Sequence, residues 1–285
     1  MTFTTRFAPS PTGPLHLGHA YSALLAFEMA KAAGGQFLLR IEDIDQSRAR
    51  AQWEAQIYDD LAWLGLEWPQ PVMRQSDRMA AYQTALDALW DRGLLYACTC
   101  KRRDILAASS APQEGAEPVF GPDGIVYPGT CRYAGHPRDA GALRLDIRKA
   151  LQTVEGKELN FVEGGSGPER ESGTIPVSKD LLIIHVGDVV LARRDMGTTY
   201  HLSVVLDDAT QAITHVVRGR DLFEATYIHV LLQALLGQPT PHYHHHRLIR
   251  DETGKRLAKR DDARAIALYR ENGATPQDIR DTIGL

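Results

Sequence analysis

The feature that most constrains the fold is a proline-rich turn close to the start of the 285-residue chain. Residues 2–8 have the pattern of a short strand, and residues 6–20, RFAPSPTGPLHLGHA, place three prolines and two glycines around its end. A helix pattern with one apolar face follows as far as Gly34 and Gly35. Residues 36–45, QFLLRIEDID, then have the composition of a buried strand with a charged end. Strand, helix and strand in this order predict a parallel α/β layer.

The turn has three possible interpretations. Gly13 and Gly18 have the spacing of a phosphate-binding loop, but His19 and Ala20 stand where that motif requires lysine and a hydroxyl residue. A structural connection with two surface histidines is the second interpretation. The third accounts for more residues. Because His16 and His19 are three positions apart, both project from one face of the first helical turn, and with the helix N-terminus they form an anion site able to hold ATP phosphates.

The remainder of the chain predicts two further helices, residues 47–66 and 76–95, before its character changes. Residues 107–124 are rich in proline, glycine and small residues and predict a mobile loop. Short apolar runs between residues 141 and 191 (ALRLDI, DLLIIHV and DVVLA) predict a mainly β insertion. Helical periodicity returns in residues 222–237, and the charged tail ends in a modest helix pattern.

Composition limits the class of protein. Hydrophobic residues make up 44% of the chain and charged residues 24%, as in ordinary globular proteins. No apolar run approaches the ~20 residues that cross a bilayer, and the first residues lack a signal-peptide core. Three cysteines do not suit a secreted disulfide framework, so we expect a cytoplasmic protein. The formal net charge of −4 argues against a uniformly positive surface but leaves room for a local basic one.

The turn resembles a known family. HLGH at residues 16–19 is similar to the HIGH signature of class I aminoacyl-tRNA synthetases, and RFAPSPTGPLHLGHA is similar to the glutamyl/glutaminyl branch in particular. The resemblance covers essentially the whole chain. It implies a Rossmann-like α/β catalytic domain that activates an amino acid with ATP and magnesium. The implied ATP-binding residues of the turn are His16, Gly18 and His19.

A second signature loop is expected near the end of such a domain. Residues 254–262, GKRLAKRDD, resemble the KMSKS-type loop of the family, with Arg256 in place of the first lysine and Ala258 in place of the serine. The resemblance therefore depends on Lys259, which in the family stabilises the ATP phosphates while the adenylate forms. A solvated basic loop is the alternative for such a run taken alone. The implied catalytic residues are His16, His19 and Lys259.

The resemblance also implies a pocket for glutamate. An acidic amino acid needs a fixed cation, and an arginine fork can hold its carboxylate through two hydrogen bonds. Arg6 matches the first arginine of the family's R-F-A-P-S run, a candidate for the side-chain carboxylate, and Glu42 matches the acidic residue that receives the α-ammonium group. An ordinary surface ion pair or a charged strand end would explain each residue singly. The full implied set is Arg6, Ala8, Ser10, Glu42, Tyr200 and Arg218.

The three cysteines lie in YACTC (96–100) and YPGTC (127–131). Three thiols are too few for an all-cysteine zinc site, so a fourth ligand is needed, and Tyr127 and His136 are both candidates. Buried, inert cysteines are the alternative. The pattern resembles the C-x-C…Y-x-x-x-C zinc site found in the acceptor-binding insertion of one subgroup of the branch. The resemblance implies one structural zinc ion per chain, with the ligands Cys98, Cys100, Tyr127 and Cys131.

That subgroup attaches glutamate to queuosine in the anticodon of tRNA(Asp), and the short segment after the second signature also favours it. Only residues 263–285 follow that loop, so we expect no separate anticodon-binding domain. The resemblance implies a monomer whose partners are glutamate, ATP and queuosine-containing tRNA(Asp), with no membrane. Candidate phosphate contacts for the tRNA are Lys101, Arg102, Arg103, Arg247 and Arg250.

Two alternative functions remain at the level of sequence. One is a truncated glutamyl-tRNA synthetase that charges the 3′ end of tRNA(Glu), and the other is a non-catalytic, synthetase-like regulator. The predicted organisation is the same for all three. Residues 1–95 and 191–250 form the two halves of the catalytic domain, residues 96–190 form a zinc-containing mixed α/β insertion, and residues 251–285 carry the second signature loop and a short helical tail.

Overall fold

The computed structural model of the chain describes residues 2–110, 118–249 and 265–285. The second signature loop, with Arg256, Ala258 and Lys259, lies outside the described residues, as does the candidate tRNA contact Arg250.

The predicted strand–helix–strand unit at the start of the chain is confirmed. It consists of strand β1 (Thr4–Phe7), helix α1 (Leu17–Ala32) and strand β2 (Gln36–Ile41). The two strands are parallel, with Thr4 opposite Gln36 and Phe7 opposite Leu39. Every residue of β1 is buried, as expected for a strand covered on both faces.

Two further helices follow, each 13 residues long where the sequence predicts 20, with the difference divided between the two ends. Helix α2 spans Ala51–Trp63, a short strand β3 (Met73–Arg74) pairs in parallel with β2, and a 3₁₀ turn (Gln75–Arg78) leads into α3 (Met79–Asp91).

The middle of the chain contains a separate antiparallel sheet, in which strand 142–145 lies between strands 190–192 and 95–98, and a two-stranded hairpin of residues 120–121 and 124–125. The helix at residues 102–110 occupies the start of the predicted mobile loop, and the hairpin forms its end, so the described part of that segment is more ordered than predicted. The elements in chain order are β4 (Leu95–Cys98), α4 (Arg102–Ser110), β5 (Phe120–Gly121), β6 (Gly124–Ile125), β7 (Ala142–Leu145), α5 (Ile147–Thr153), β8 (Asn160–Glu163), β9 (Gly173–Pro176), α6 (Lys179–Leu181) and β10 (Val190–Ala192).

The prediction of a strand in DLLIIHV is wrong, because this run is helical. Ser178 Oγ accepts a hydrogen bond from the Leu181 amide at 3.1 Å and starts α6, which continues into a π-helical turn at Leu182–Val186. The turn ends at Gly187, whose φ of 68° is a left-handed conformation that favours glycine. A short apolar run has no periodicity that separates a buried strand from a buried helix.

A second sheet, parallel except for the antiparallel strand β9, forms the other half of the molecule. Helix α7 (Tyr200–Thr210), strand β11 (His215–Gly219), helix α8 (Ala225–Leu236) and strand β12 (His242–His246) follow one another along the chain. The strand order is β11-β12-β8-β9, so β8 and β9, which lie within residues 96–190, pair with the catalytic half. The tail forms α9 (Ile266–Glu271) and α10 (Pro276–Ile283).

The sheet that contains β1 and the sheet that contains β11 meet at these two strands. The Thr4 amide donates to Thr214 Oγ1 at 2.8 Å, and the Thr214 amide donates to the Thr4 carbonyl at 3.0 Å. The carboxyl ends of β1 and β11 therefore lie side by side, at the edge of an α/β layer where ligands usually bind.

Helix α7 also fixes the segment before α3. Asp207 is fully buried, and its carboxylate accepts hydrogen bonds from Gln75 Nε2 at 2.9 Å, Arg78 Nε at 2.8 Å and the Tyr82 hydroxyl at 2.8 Å. Buried carboxylates are tolerated when paired in this way.

In the part of the chain that the structure covers, no helix has the length and apolar character that a membrane crossing requires.

His246 joins the end of β12 to α1. Its Nδ1 lies 2.8 Å from the Arg247 carbonyl oxygen, and its Nε2 lies 2.6 Å from Ser22 Oγ. Since a carbonyl can only accept, Nδ1 carries the proton and Nε2 accepts from the Ser22 hydroxyl in the neutral ring. Burial lowers the pKa of His246 to about 4.

We expect His246 to make the protein less stable in acid. Because its folded pKa of about 4 lies below its unfolded value of 6.5, its contribution is complete above about pH 6.5 and is lost as the pH falls toward 4. The total is about 3 kcal/mol, from about 1.4 kcal/mol per unit of pKa difference. Urea denaturation at about pH 7 and about pH 4.5 should show a smaller loss for His246→Gln than for the wild type. Equal losses would contradict this.

Candidate active site

The proline-rich turn places His16 at the N-cap of α1. Its ring Nδ1 accepts a hydrogen bond from the Gly18 amide at 3.1 Å, and the ring Nδ1 of His19 accepts one from the His16 amide at 3.1 Å. The two rings stack with centroids 3.8 Å apart. The two histidines therefore act as a reciprocal capping pair.

This capping fixes the tautomer of both rings. A ring nitrogen that accepts a backbone N–H bears no proton, so each neutral imidazole carries its proton on Nε2. Two Nε2–H donors and the positive end of the α1 dipole are thus brought together at one helix N-terminus, an arrangement that suits a phosphate.

Gly18 is required by the closeness of the His16 ring. A Cβ atom at this position would lie 3.0 Å from His16 Cε1 and 3.2 Å from Nδ1. A side chain here would force the His16 ring to shift by a few tenths of an ångström.

A buried network of charges lies at the ends of β1 and β2. Arg6 donates from Nε to Asp208 Oδ1 at 3.0 Å and from Nη2 to Oδ2 at 3.3 Å. Arg40 donates from Nη1 to Asp208 Oδ1 at 2.7 Å and from Nη2 to Glu42 Oε1 at 3.1 Å. Two guanidinium groups thus face two carboxylates.

The pKa values of the two carboxyl groups in this network shift in opposite directions. Burial opposes ionisation of Asp208, but the flanking Arg6 and Arg40 lower its pKa, so it bridges them as a carboxylate. Burial raises the pKa of Glu42, and its contact with Arg40 offsets only part of that effect. A second cation beside Glu42 would therefore stabilise its ionised form.

Arg218 is held in a different way. It is 5% exposed and lies on β11, and among the described residues its hydrogen-bond partners are all neutral. Its Nη1 donates to the Tyr200 hydroxyl at 3.2 Å and to His229 Nδ1 at 3.3 Å. The remaining contacts run from Nη2 to Thr226 Oγ1 at 2.7 Å and from Nε to His245 Nε2 at 3.1 Å.

Tyr200 connects Arg218 with the charge network. Burial raises the pKa of its hydroxyl, and the charges of Arg218, Glu42, Arg6 and Asp208 all act on it. Four of the residues predicted to bind glutamate are therefore close together: Arg6, Glu42, Tyr200 and Arg218. Ala8 lies one residue beyond β1, at the entrance to the proline-rich turn.

A cavity of about 370 Å³ opens between the turn, β2 and α7, within the size range of small-molecule sites. Three predicted substrate residues, Ser10, Glu42 and Tyr200, lie on its wall. The complete lining is Ser10, Thr12, Glu42, Ile44, Asp45, Arg48, Gln75, Met196 and Tyr200. A larger cavity of about 650 Å³ lies in the insertion beside Arg102 and Tyr127 and contains none of the predicted glutamate residues.

The three cysteines come together in the insertion. Their Sγ atoms lie within 4.8 Å of one another, and Tyr127 Oη lies 3.3 Å from both Cys98 Sγ and Cys100 Sγ. Tyr127 also accepts from the Cys131 amide at 2.9 Å. His136 instead lies 3.4 Å from Thr99 Oγ1. A tetrahedral zinc ion with ~2.3 Å bonds separates its sulfurs by about 3.8 Å, so the spacing of the three thiols is compatible with zinc, and the Tyr127 hydroxyl lies beside them.

The predicted RNA-contacting cations lie in two places. Lys101, Arg102 and Arg103 are exposed at the start of α4, whereas exposed Arg247 lies 4.9 Å above the Tyr21 ring.

Sequence reasoning missed Arg40 and Asp208, and also three of the four partners of Arg218, namely Thr226, His229 and His245. A charged residue inside an apolar strand (QFLLRI) and a pair of acids inside an apolar helix (LSVVLDDA) were the available indications. Such residues are rarely buried unless they are paired.

Comparisons with known proteins agree with this geometry. Residues 2–117 and 172–285 match the family described as tRNA synthetases class I (E and Q), catalytic domain. A glutamyl-Q tRNA(Asp) synthetase from Rhodobacter capsulatus is 63% identical over 281 residues, which cover 99% of both chains. The enzyme of that name from Symbiobacterium thermophilum is 39% identical over 96% of this chain and 83% of its own.

The chain belongs to the glutamyl-Q tRNA(Asp) synthetases, within class I. It is accordingly an ATP-dependent ligase. This synthetase is also similar to a solved glutamate tRNA ligase from Elizabethkingia meningosepticum, with a TM-score of 0.76 and 26% identity. The match covers 100% of this chain and 61% of the solved chain, so the synthetase spans less than two thirds of that ligase.

The charge network of the synthetase predicts a large effect of Asp208→Ala on stability. Its loss leaves two buried guanidinium groups with Glu42 alone, which should cost about 3–5 kcal/mol of unfolding free energy. Urea denaturation measures the change.

The matched control for Asp208→Ala is Asp195→Ala. Asp195 pairs with Arg193, but their side chains are 64% and 56% exposed. Its removal should change the unfolding free energy by less than about 0.5 kcal/mol. Similar small effects of both substitutions would show that the Asp208 bridge does not hold the two halves together.

Proposed function

We propose that the protein activates glutamate with ATP to form glutamyl-adenylate and transfers the glutamate to the queuosine in the anticodon of tRNA(Asp). The main support is the match to the Rhodobacter capsulatus relative across 99% of both chains. The site geometry independently supports an acidic amino acid, but it does not select the acceptor.

In this proposal the glutamate side chain binds at Arg218. Its carboxylate accepts hydrogen bonds from the Arg218 guanidinium and the Tyr200 hydroxyl. Arg6 keeps its hydrogen bonds to Asp208 and directs its remaining N–H groups to the same slot. The α-ammonium group lies against Glu42, whose ionised form it stabilises. Ala8 and Ser10 line the path between the slot and the turn.

The first step joins the α-carboxylate of glutamate to the α-phosphate of ATP, and magnesium pyrophosphate leaves. Negative charge develops on the phosphate oxygens, and the Nε2–H groups of His16 and His19 are the donors that stabilise it beside Gly18. A well-placed donor of this kind contributes about 3–4 kcal/mol. No side chain acts as a covalent nucleophile.

Lys259 is proposed to add a cation at the phosphates, beside the neutral His16 and His19 donors. The support is the path of the chain directly after the second signature loop. Ala265 forms an antiparallel bridge with His16, and the Ile266 amide donates to the Leu15 carbonyl at 2.9 Å. The chain that carries Lys259 therefore rejoins the described structure at the turn.

The second step transfers glutamate to RNA. A hydroxyl of the queuosine cyclopentenediol attacks the carbonyl carbon of the mixed anhydride, an ester bond forms, and AMP leaves with the bonding electrons. The exposed cations Lys101, Arg102, Arg103 and Arg247, with Arg250, are proposed to contact phosphates of the tRNA.

The cysteine cluster is proposed to hold one zinc ion that organises the insertion. Burial and the neighbouring thiols raise the pKa of Tyr127, and a bound metal ion would favour its phenolate form. The Arg144 guanidinium lies 3.9 Å above the Tyr127 ring and would stabilise the phenolate. With all four positions taken by protein, the ion would have no open site for catalysis.

The acceptor nucleoside is tested by incubating the protein with ATP, labelled glutamate and one of three RNAs: queuosine-containing tRNA(Asp), unmodified tRNA(Asp) and tRNA(Glu). We expect label on the queuosine nucleoside alone, since the cyclopentenediol supplies the attacking hydroxyl. Label on the 3′ end of tRNA(Glu) would support a truncated glutamyl-tRNA synthetase instead.

The same assay tests the role of His19 with the variant His19→Ala. It should slow labelling by about 100-fold or more if His19 stabilises the phosphate charge. Circular dichroism would confirm that the variant is folded.

Zinc is tested by metal analysis of the native protein. We expect one zinc ion per chain, and Tyr127→Phe should weaken zinc binding by at least about 10-fold because a ligand is lost. The matched control His136→Ala should retain the ion. A native preparation without zinc, or loss of zinc on His136→Ala alone, would refute the ligand set.

A further inference from the structure

Within the described residues, the buried guanidinium of Arg218 makes four hydrogen bonds, and each of these goes to a neutral acceptor. Besides the Tyr200 hydroxyl, these are Thr226, His229 and His245, which we call the neutral cage. Arg6 and Arg40, by contrast, each contact a carboxylate directly. The difference is unusual, because buried cations are normally paired with an anion.

His245 is turned into an acceptor by Glu163. The Glu163 carboxylate lies 2.5 Å from His245 Nδ1 and accepts from the His245 amide at 2.9 Å. Burial opposes ionisation of Glu163, but these hydrogen bonds lower its pKa. The proton of His245 is therefore on Nδ1, and the Nε2 lone pair faces Arg218. The carboxylate itself stays one imidazole ring away from the guanidinium.

His229 is turned into an acceptor by His201. Its Nε2 lies 3.2 Å from His201 Nδ1, while His201 Nε2 lies 3.7 Å from Asp123 Oδ1. Since Arg218 can only donate to His229 Nδ1, the His229 proton is on Nε2 and is donated to His201. Burial and the nearby Arg218 hold the pKa of His229 well below its usual value, so the ring stays neutral.

The neutral acceptors around Arg218 affect how a charged substrate contacts the guanidinium group. A protein carboxylate at any cage position would form a direct ion pair with Arg218 and compete with the substrate for the guanidinium. Neutral acceptors fix the orientation of the fork but leave this direct contact to the ligand. A carboxylate then gains a charge-assisted hydrogen bond, whereas an amide must also turn a donor toward a cation.

We propose that Thr226, His229 and His245 are positioning residues that determine selectivity for a side-chain carboxylate over a side-chain amide, with His201 and Glu163 setting the acceptor state of the two histidines. The inference rests on the proposed function, because it assigns glutamate as the ligand of Arg218. It adds the reason why glutamine is rejected.

The test measures dissociation constants of the full chain for glutamate and glutamine by calorimetry, with thermal unfolding to verify folding. Thr226→Asp places a carboxylate on Arg218, and we expect glutamate affinity to fall by about 10- to 100-fold while the preference over glutamine largely disappears. Thr226→Asn has the same side-chain shape as Thr226→Asp but adds no charge. It should weaken glutamate binding by a smaller factor without changing the preference over glutamine. Thr153→Asp adds the same charge on the exposed face of α5 and should change neither constant.

A second pair of variants tests His229. His229→Asn retains a neutral acceptor near the Nδ1 position, whereas His229→Leu retains none. We expect His229→Leu to lower glutamate affinity by about 10-fold and His229→Asn to restore most of it. A purely structural role would change thermal stability in both variants without this rescue.

Two results would overturn the proposal: equal glutamate affinities for Thr226→Asp and Thr226→Asn, or equal losses for both His229 variants. The binding measurement does not depend on transfer to RNA. Selective glutamate binding with these variant effects, but without labelling of queuosine, would support the neutral cage and contradict the proposed acceptor.

Discussion

The Asp208 carboxylate is the contact on which the rest of the site depends. From α7 it reaches Arg6 on β1 and Arg40 on β2, residues that precede it by 202 and 168 positions. The bridge therefore holds the two halves of the α/β layer together at their carboxyl ends. Strand β1 leads directly into the proline-rich turn. The Asp208 bridge therefore also fixes the start of this turn, which ends at His16, the N-cap of α1. Loss of one carboxylate would disturb both halves.

The site combines two ways of burying an arginine. Arg6 and Arg40 are neutralised by Asp208 and Glu42, which gives structural rigidity, and Arg218 is held by neutral groups, which leaves its charge for direct contact with a ligand. Neighbouring groups also orient the histidine rings. In each of His16, His19, His229 and His245, a neighbouring group fixes which ring nitrogen carries the proton, so hydrogen-bond direction is set before any substrate arrives.

Local patterns were predictable from the sequence, and long-range partners were not. The turn and the first strand–helix–strand unit depend on residues close together in the chain. Family resemblance, and not local pattern, supplied the cysteine ligand set and the candidate residues Glu42, Tyr200 and Arg218. Asp208 and the neutral cage are defined by neighbours brought together only by folding. DLLIIHV was predicted wrongly because short apolar runs suit either secondary structure. The boundaries of the domains and the role of Lys259 stay predictions.

A crystal structure with a non-hydrolysable glutamyl-adenylate analogue would test the central claim most directly. We predict that the side-chain carboxylate of the analogue accepts hydrogen bonds from Arg218 and Tyr200, that Asp208 remains bound to Arg6 and Arg40, and that His16 and His19 direct Nε2 toward the phosphate position. A side-chain carboxylate out of hydrogen-bond reach of Arg218, or an adenylate group distant from both histidines, would contradict the account.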